Sequence, residues 1–240
     1  MIRTRIVSGA PNWISGMASR SFILTMLAVA VMLSGCAWFG KDKPEKPAQQ
    51  LIEEGVKEYD RGHYKDALEA FQQLRDWYPF SKYAILAELR IADAHYHLEE
   101  YPEAVTAYEE FERLHPRNEA IPYVIYQIGM CHFKQIDTVD RDQSSARKAM
   151  ETFQRLIRQY PNDPYAKQAA GNLVTCIQSL AGHDFYVGEY YYKRKYYKAA
   201  LYRFMAVINQ YPDVGYHKRA LEYIAECQAY KPVEPRAAAD

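Results

Sequence analysis

The chain has little cysteine, four residues in 240, and no C-x-x-C. Its seven histidines are scattered. His95 and His97 stand two apart, which on a helix turns them to different faces, so no metal site is expected. No G-x-S-x-G, H-E-x-x-H or glycine-rich phosphate loop occurs. The carboxylate pairs Glu53-Glu54 and Glu109-Glu110 read as solvated helix surface. An enzyme is therefore not expected, nor a cofactor beyond a covalent lipid. Charge of one sign is not in excess: 30 Lys and Arg face 30 Asp and Glu. No basic stripe appears, which argues against a nucleic-acid partner. Long apolar runs are missing too. The longest, Phe22 to Leu33, is about 12 residues, where a membrane-crossing helix needs ~20.

That short run fits a signal peptide instead. Residues 1–35 contain Arg3, Arg5 and Arg20 and no acid, and Met17 is a second possible start. The run closes in Leu33-Ser34-Gly35-Cys36, small residues before a cysteine, which resembles the bacterial lipobox. The resemblance implies cleavage before Cys36 and lipidation of its thiol and amino group; an ordinary secretion signal is the alternative. Two or more acyl chains anchor a protein stably. Ala37, rather than an Asp, follows the cysteine and points to the outer membrane. Losing three arginines leaves 27 basic and 30 acidic residues, net −3. Residues 36–48, with Gly40-Lys-Asp-Lys-Pro-Glu-Lys-Pro47, read as a flexible tether.

One spacing then recurs four times. Ala67, Phe71, Leu74 and Pro79 share their offsets with Ala104, Tyr108, Phe111 and Pro116, with Ala149, Phe153, Leu156 and Pro161, and with Ala200, Phe204, Val207 and Pro212. Offsets of four and three put three side chains on one helical face, and the proline ends the helix. Twelve residues before each small residue stands another: Gly55, Ala92 and Gly188, with Gly129 fitting if eight extra residues are allowed. Helix pairs that touch through small residues and stop at a proline resemble the tetratricopeptide repeat. The expected fold is all-α, a right-handed superhelical stack of about four and a half such pairs.

Residues 49–116 hold repeats one and two, with a break at Gly62, Ser81 as helix cap and a turn near Glu100–Pro102. Residues 117–230 hold repeats three to five. Asp137 to Ser145 is read as a solvated insertion, or a helix entry capped by Asp142 or Ser144. From Tyr165 the apolar pattern runs past Gly182 to Tyr192, which predicts one long helix crossing two layers. Residues 231–240 read as a disordered tail. Cys131, Cys176 and Cys227 fall in apolar helical segments; buried thiols are expected, with one disulfide as the alternative.

In the tetratricopeptide family the first helix of each pair lines the concave face. Carried over, this gives Ile52, Val56 and Tyr59, then Leu89, Asp93 and Tyr96, then Tyr126, Met130 and Phe133. That line is apolar and aromatic and suits an extended peptide with such side chains. Some of the nine can instead pack against the neighbouring helix.

The lipobox, the tether and about five repeats together resemble the BamD family, the lipoprotein of the outer-membrane β-barrel assembly machine. Matching segments are Tyr78-Pro79-Phe80, His115-Pro116 with Tyr123-Val124-x-Tyr126, Asp140-Arg141-Asp142 with Ala146-Arg147, Tyr160-Pro161-Asn162, and Val187-x-Glu189-Tyr190-Tyr191. The likeness covers roughly residues 49–230. It implies a non-enzymatic scaffold on the periplasmic face of the outer membrane. Repeats one and two would receive signals of unfolded outer-membrane proteins. Repeats three to five would dock on the periplasmic domains of the barrel-inserting subunit, with other assembly lipoproteins as further partners. Arg203 falls on the family's docking arginine, and Glu189 lies in the last matching segment. The family usually adds another helix after Tyr230, and no amphipathic stretch that would form it is read in residues 231–240. Another envelope-assembly lipoprotein with these repeats, for pili or the cell wall, is the alternative.

Overall fold

The computed structural model describes residues 46–230, and nine helices and no strand lie among them. The expected signal peptide, Cys36 with its lipid, the tether up to residue 45 and the tail from residue 231 lie outside the described residues. Four pairs follow one another: α1 (Ala48–Asp60) with α2 (Tyr64–Trp77), α3 (Ala84–His97) with α4 (Tyr101–Leu114), α5 (Ile121–Phe133) with α6 (Ser144–Gln159), and the end of α7 (Pro164–Lys193) with α8 (Tyr197–Gln210). A single helix, α9 (His217–Ala229), completes the four and a half. Each helix packs on the next, and α7 also packs on α5.

The second helix of every pair stops two residues before its proline, at Trp77, Leu114, Gln159 and Gln210. The intervening residue leaves the helical region; Tyr78, for instance, takes φ −132° and ψ 55°, as the following ring requires.

In three of the four pairs a glycine of the first helix meets a phenylalanine of the second. A Cβ added to Gly55 would stand 2.4 Å from the Phe71 ring, one on Gly129 2.4 Å from Phe153, and one on Gly188 2.6 Å from Phe204. The backbones approach closely because no side chain intervenes. All three phenylalanines are fully buried.

The turn that joins α1 to α2 recurs between α3 and α4 and between α7 and α8. In each, two backbone bonds close the helix end as a Schellman motif: His63 to Glu58 and Gly62 to Tyr59; Glu100 to His95 and Glu99 to Tyr96; Tyr196 to Tyr191 and Lys195 to Tyr192. The left-handed position is held by Gly62 (φ 79°), Glu99 (φ 61°) and Lys195 (φ 65°). The side chains flanking it are paired too. His63 meets Glu58 and, with the two types exchanged, His95 meets Glu100, each at 2.7 Å.

Helix α7 is the long helix expected. Its 30 residues pass through Gly182 without a break. Ala166, Ala169 and Cys176 belong to the central core with Phe111, Ile125 and Phe153. Phe185, just beyond Gly182, belongs to the last core with Ala200, Phe204 and Ala220. The Asp163 carboxylate caps α7 by accepting from the Tyr165 N–H at 2.8 Å.

Two details differ from expectation. Ser81 does not cap α3: Ser81 to Tyr83 form a turn first, the Ser81 hydroxyl oxygen accepting from the Tyr83 N–H at 3.2 Å, and the helix begins at Ala84. The insertion before α6 is not merely solvated. Gln143 is buried, donating to the carbonyls of Thr138 and Arg141 and accepting from Ser179 of α7. His183 of α7 contacts the Val139 carbonyl oxygen at 2.7 Å. Asp142 accepts from the Ser144 N–H at 3.2 Å, next to the start of α6. Cys131, Cys176 and Cys227 are free and buried.

Candidate partner-binding surfaces

The nine groove residues lie on α1, α3 and α5, the first helices of three consecutive pairs. Val56 and Tyr59 are half-buried against the N-terminal core, to which the nearly buried Ile52 belongs. Leu89, Tyr96, Tyr126, Met130 and Phe133 are half-buried against the central core. An open hollow of about 550 Å³ runs along Ile52 and Val56, edged by Glu53, Lys57, Asp60 and Arg61. The three tyrosines do not form one ring contact line. Tyr59 reaches Tyr96 through His97, with centroids 5.5 Å and 5.7 Å apart, while Tyr126 packs with Tyr165 and Phe153. Burial pushes the hydroxyls of Tyr59 and Tyr96 up to about 12.

Asp93 is the correction. It is 1% exposed and offers nothing to a ligand. Its Oδ1 accepts from the hydroxyls of Tyr108 at 2.6 Å and Tyr123 at 2.7 Å, and its Oδ2 accepts from Arg90 at 3.0 Å. A carboxylate this deep is tolerated because each oxygen is bonded. Burial first, then the Asp93 charge, holds both tyrosine hydroxyls well above their ordinary range. The network ties α3, α4 and α5 together across the boundary between pairs.

Arg203 and Glu189 are likewise engaged within the chain. Arg203 Nη1 donates to Asp184 Oδ1 at 2.7 Å, and the Tyr211 hydroxyl donates to the other oxygen at 3.1 Å. The Arg203 side chain keeps 38% of its surface exposed. Glu189 accepts from Arg219 at 2.8 Å and from the Tyr223 hydroxyl at 3.1 Å. Arg203 thus reaches from α8 across to Asp184 of α7.

Among the described residues one trio, Glu58, His63 and Asp66, brings ligand-type atoms within 4.8 Å of one another. Glu58 there already pairs with His63 and with Arg61 at 3.1 Å. Burial pushes the thiols of Cys131 and Cys176 up to about 12, so neither is a ready nucleophile. No helix among the described residues is long and apolar enough to cross a membrane.

A stack of helix pairs with apolar, half-buried surfaces along its first helices defines a helical-repeat scaffold. The family described as YfiO, an outer membrane lipoprotein, matches residues 44–240. The outer membrane protein assembly factor BamD of Neisseria meningitidis serogroup B is 31% identical over 235 residues, covering 91% of this chain and 87% of that one. BamD of Caulobacter vibrioides is 30% identical over 85% of this chain and 68% of its own. BamD of Vibrio cholerae is 28% identical over 87% and 90%. The chain belongs to this BamD family of outer-membrane assembly lipoproteins. Among solved structures, the first tetratricopeptide domain of Spaghetti (RPAP3) is similar with TM-score 0.43 and 20% identity, over 59% of this chain and 99% of that one. A thermophilic tetratricopeptide protein of Thermus thermophilus is similar with TM-score 0.41 and 16% identity, over 74% and 99%.

Proposed function

We propose that this protein is a non-enzymatic scaffold for outer-membrane protein assembly, held at the periplasmic face of the outer membrane by lipid on Cys36. Its first two repeats bind extended segments of unfolded outer-membrane proteins. Its last repeats dock on the barrel-inserting subunit. The observation that carries this reading is the half-buried apolar and aromatic face of α1, α3 and α5, borne on a helical stack in a chain of the BamD family. An extended peptide can bury ring area against Tyr59 and Tyr96. Docking falls to the Arg203 edge, where Asp184 holds one nitrogen of the planar fork. The remaining donors stay available to a carboxylate of the partner.

The test separates the two surfaces. Tyr59→Ser with Tyr96→Ser is expected to weaken crosslinking to peptides from the C-termini of outer-membrane barrels while leaving helical content unchanged. Undiminished crosslinking removes the groove from the reading. Arg203→Met keeps the apolar stem and leaves Asp184 bonded to Tyr211. It is expected to reduce co-purification with the barrel-inserting subunit by ~10-fold or more, in line with losing one member of a desolvated interface pair. Full co-purification would show that Arg203 serves only Asp184. Cys36→Ser is expected to move the protein out of the outer-membrane fraction; retention there without a partner would refute the anchor.

A further inference from the structure

The last pair carries a cleft that neither the groove nor the Arg203 edge uses. Its volume is about 620 Å³. Four tyrosines line it in two ring pairs: Tyr191 with Tyr196, centroids 6.4 Å apart, and Tyr197 with Tyr230, 4.1 Å apart. Leu201 and the nearly buried Cys227 complete an apolar lining. Tyr196 is 61% exposed and Tyr230 50%, so this aromatic surface is open.

The cleft sits on the third copy of the Schellman turn, and that copy departs from the other two. Where Glu58 meets His63 and His95 meets Glu100, the corresponding pair here is Tyr191 and Tyr196. The polar lock has been replaced by rings. The left-handed residue, glycine in the first copy, is Lys195. A non-glycine residue is disfavoured in that conformation. Lys195 and Lys198 both border the cleft and are exposed. Among the described residues neither lysine forms an ion pair. Two lysines without an ion pair thus border an aromatic hollow.

We propose that this cleft docks a segment of a partner protein that presents an aromatic side chain next to a carboxylate. The ring packs among the tyrosines, where offset and edge-on contacts are favoured. The carboxylate meets Lys195 and Lys198. A neutral segment would forgo that attraction and a basic one would be repelled, so charge sets the choice of partner. This surface is distinct from the Arg203 edge and goes beyond the docking proposed there.

N-acetyl-L-tryptophan joins a ring to a carboxylate, and its amide is the neutral twin. Both are titrated into the full-length protein while tyrosine ring resonances are followed by NMR. The acid is expected to shift the Tyr197 and Tyr230 signals saturably, and the amide to bind at least fivefold more weakly. Lys195→Gln with Lys198→Gln is expected to abolish that difference without altering the fold. No shift up to the solubility limit overturns the proposal, as does equal binding of acid and amide. It is also overturned if the shifts emerge only once residues 231–240 are removed, which makes the chain's own tail the occupant, or only on dilution, which makes it a second copy. None of these readouts involves Arg203 or co-purification, so this proposal and the scaffold reading can fail separately.

Discussion

Changing Gly129 to alanine tests the packing principle of the whole stack. Two opposed terms act. Alanine is a better helix former than glycine by about 1 kcal/mol in a helix interior. Against this, the new Cβ would lie 2.4 Å from Phe153 Cε1 and 2.7 Å from Cδ1, where ordinary contact begins near 3.4 Å. The pair must separate by about 1 Å. Phe153 is fully buried and wedged against Tyr126 and Phe133, with ring centroids 6.0 Å and 6.2 Å away, so the ring cannot swing clear. Overpacking of this kind costs about 1–3 kcal/mol, and a fully hemmed ring belongs at the upper end. The expected net loss is about 2 kcal/mol, or roughly 4–8 °C in Tm for a body of this size. Gly171 supplies the control. It is exposed on α7, and a Cβ there meets nothing within 4 Å. Gly171→Ala should therefore stabilise by about 1 kcal/mol. Urea unfolding followed by circular dichroism reads both. Adding Phe153→Leu should relieve the Gly129→Ala penalty, giving a coupling of about 1 kcal/mol or more in a double-mutant cycle. If Gly129→Ala matches or exceeds wild type, close approach through the small residue does not hold the pairs together.

The remaining predictions rest on separate features. Glu99→Gly removes the strain of a left-handed glutamate and should raise stability by about 1 kcal/mol by urea unfolding; a loss would refute the strain argument. Cys131 and Cys176 should resist maleimide in the native protein and react only after denaturation, as mass spectrometry would show; rapid native labelling would contradict their burial. His132 lies below its ordinary value of 6.5, chiefly through burial, with Lys148 adding to it. Between the lowered value and 6.5 the unfolded chain holds the proton and the folded chain does not, so stability should fall as pH drops below about 6.5 and be unaffected above it. His132→Gln should flatten that part of the Tm-against-pH curve, and an unchanged slope would exclude His132 as its source.

The fold was legible because its information is local. Four copies of one spacing mark a buried face and a stop, and each copy is complete within one helix. The course of α7 through Gly182 could be read for the same reason, since nothing between Tyr165 and Tyr192 breaks the pattern. The candidate surfaces were less legible because helical phase gives a direction and not a depth. Asp93 and Val56 hold the same place in their units, one after the small residue, yet Val56 is half-buried and Asp93 is sealed. What seals Asp93 is Tyr123, 30 positions away on the next pair.

A signal was nonetheless present in the differences between units. The place of Asp93 is held by Val56 and Met130 in units one and three, and the place of Tyr108 by Phe71, Phe153 and Phe204. An acid and a hydroxyl appear together in unit two, where units one and three are apolar at both places, and they bond to each other at 2.6 Å. Glu189 holds that same place in unit four, one after Gly188. It too is reached by a tyrosine from the next first helix, Tyr223 of α9, 34 positions on. Read by position, Glu189 repeats the role of Asp93, fastening one unit to the next. Its depth differs: the Glu189 side chain keeps 22% of its surface exposed, against 1% for Asp93. Asp184 stands four residues before Gly188, on the same helix, but the groups it holds, Arg203 on α8 and Tyr211 just after it, belong to its own pair. Asp93 and Glu189, each bonded by a tyrosine of the next first helix, therefore join the layers where the glycine–phenylalanine contact joins only the two helices within a layer. Substituting Glu189 would loosen the seating of α9 before it touched any partner, whereas Arg203, bound through one nitrogen and partly exposed, retains donors that no other described residue uses.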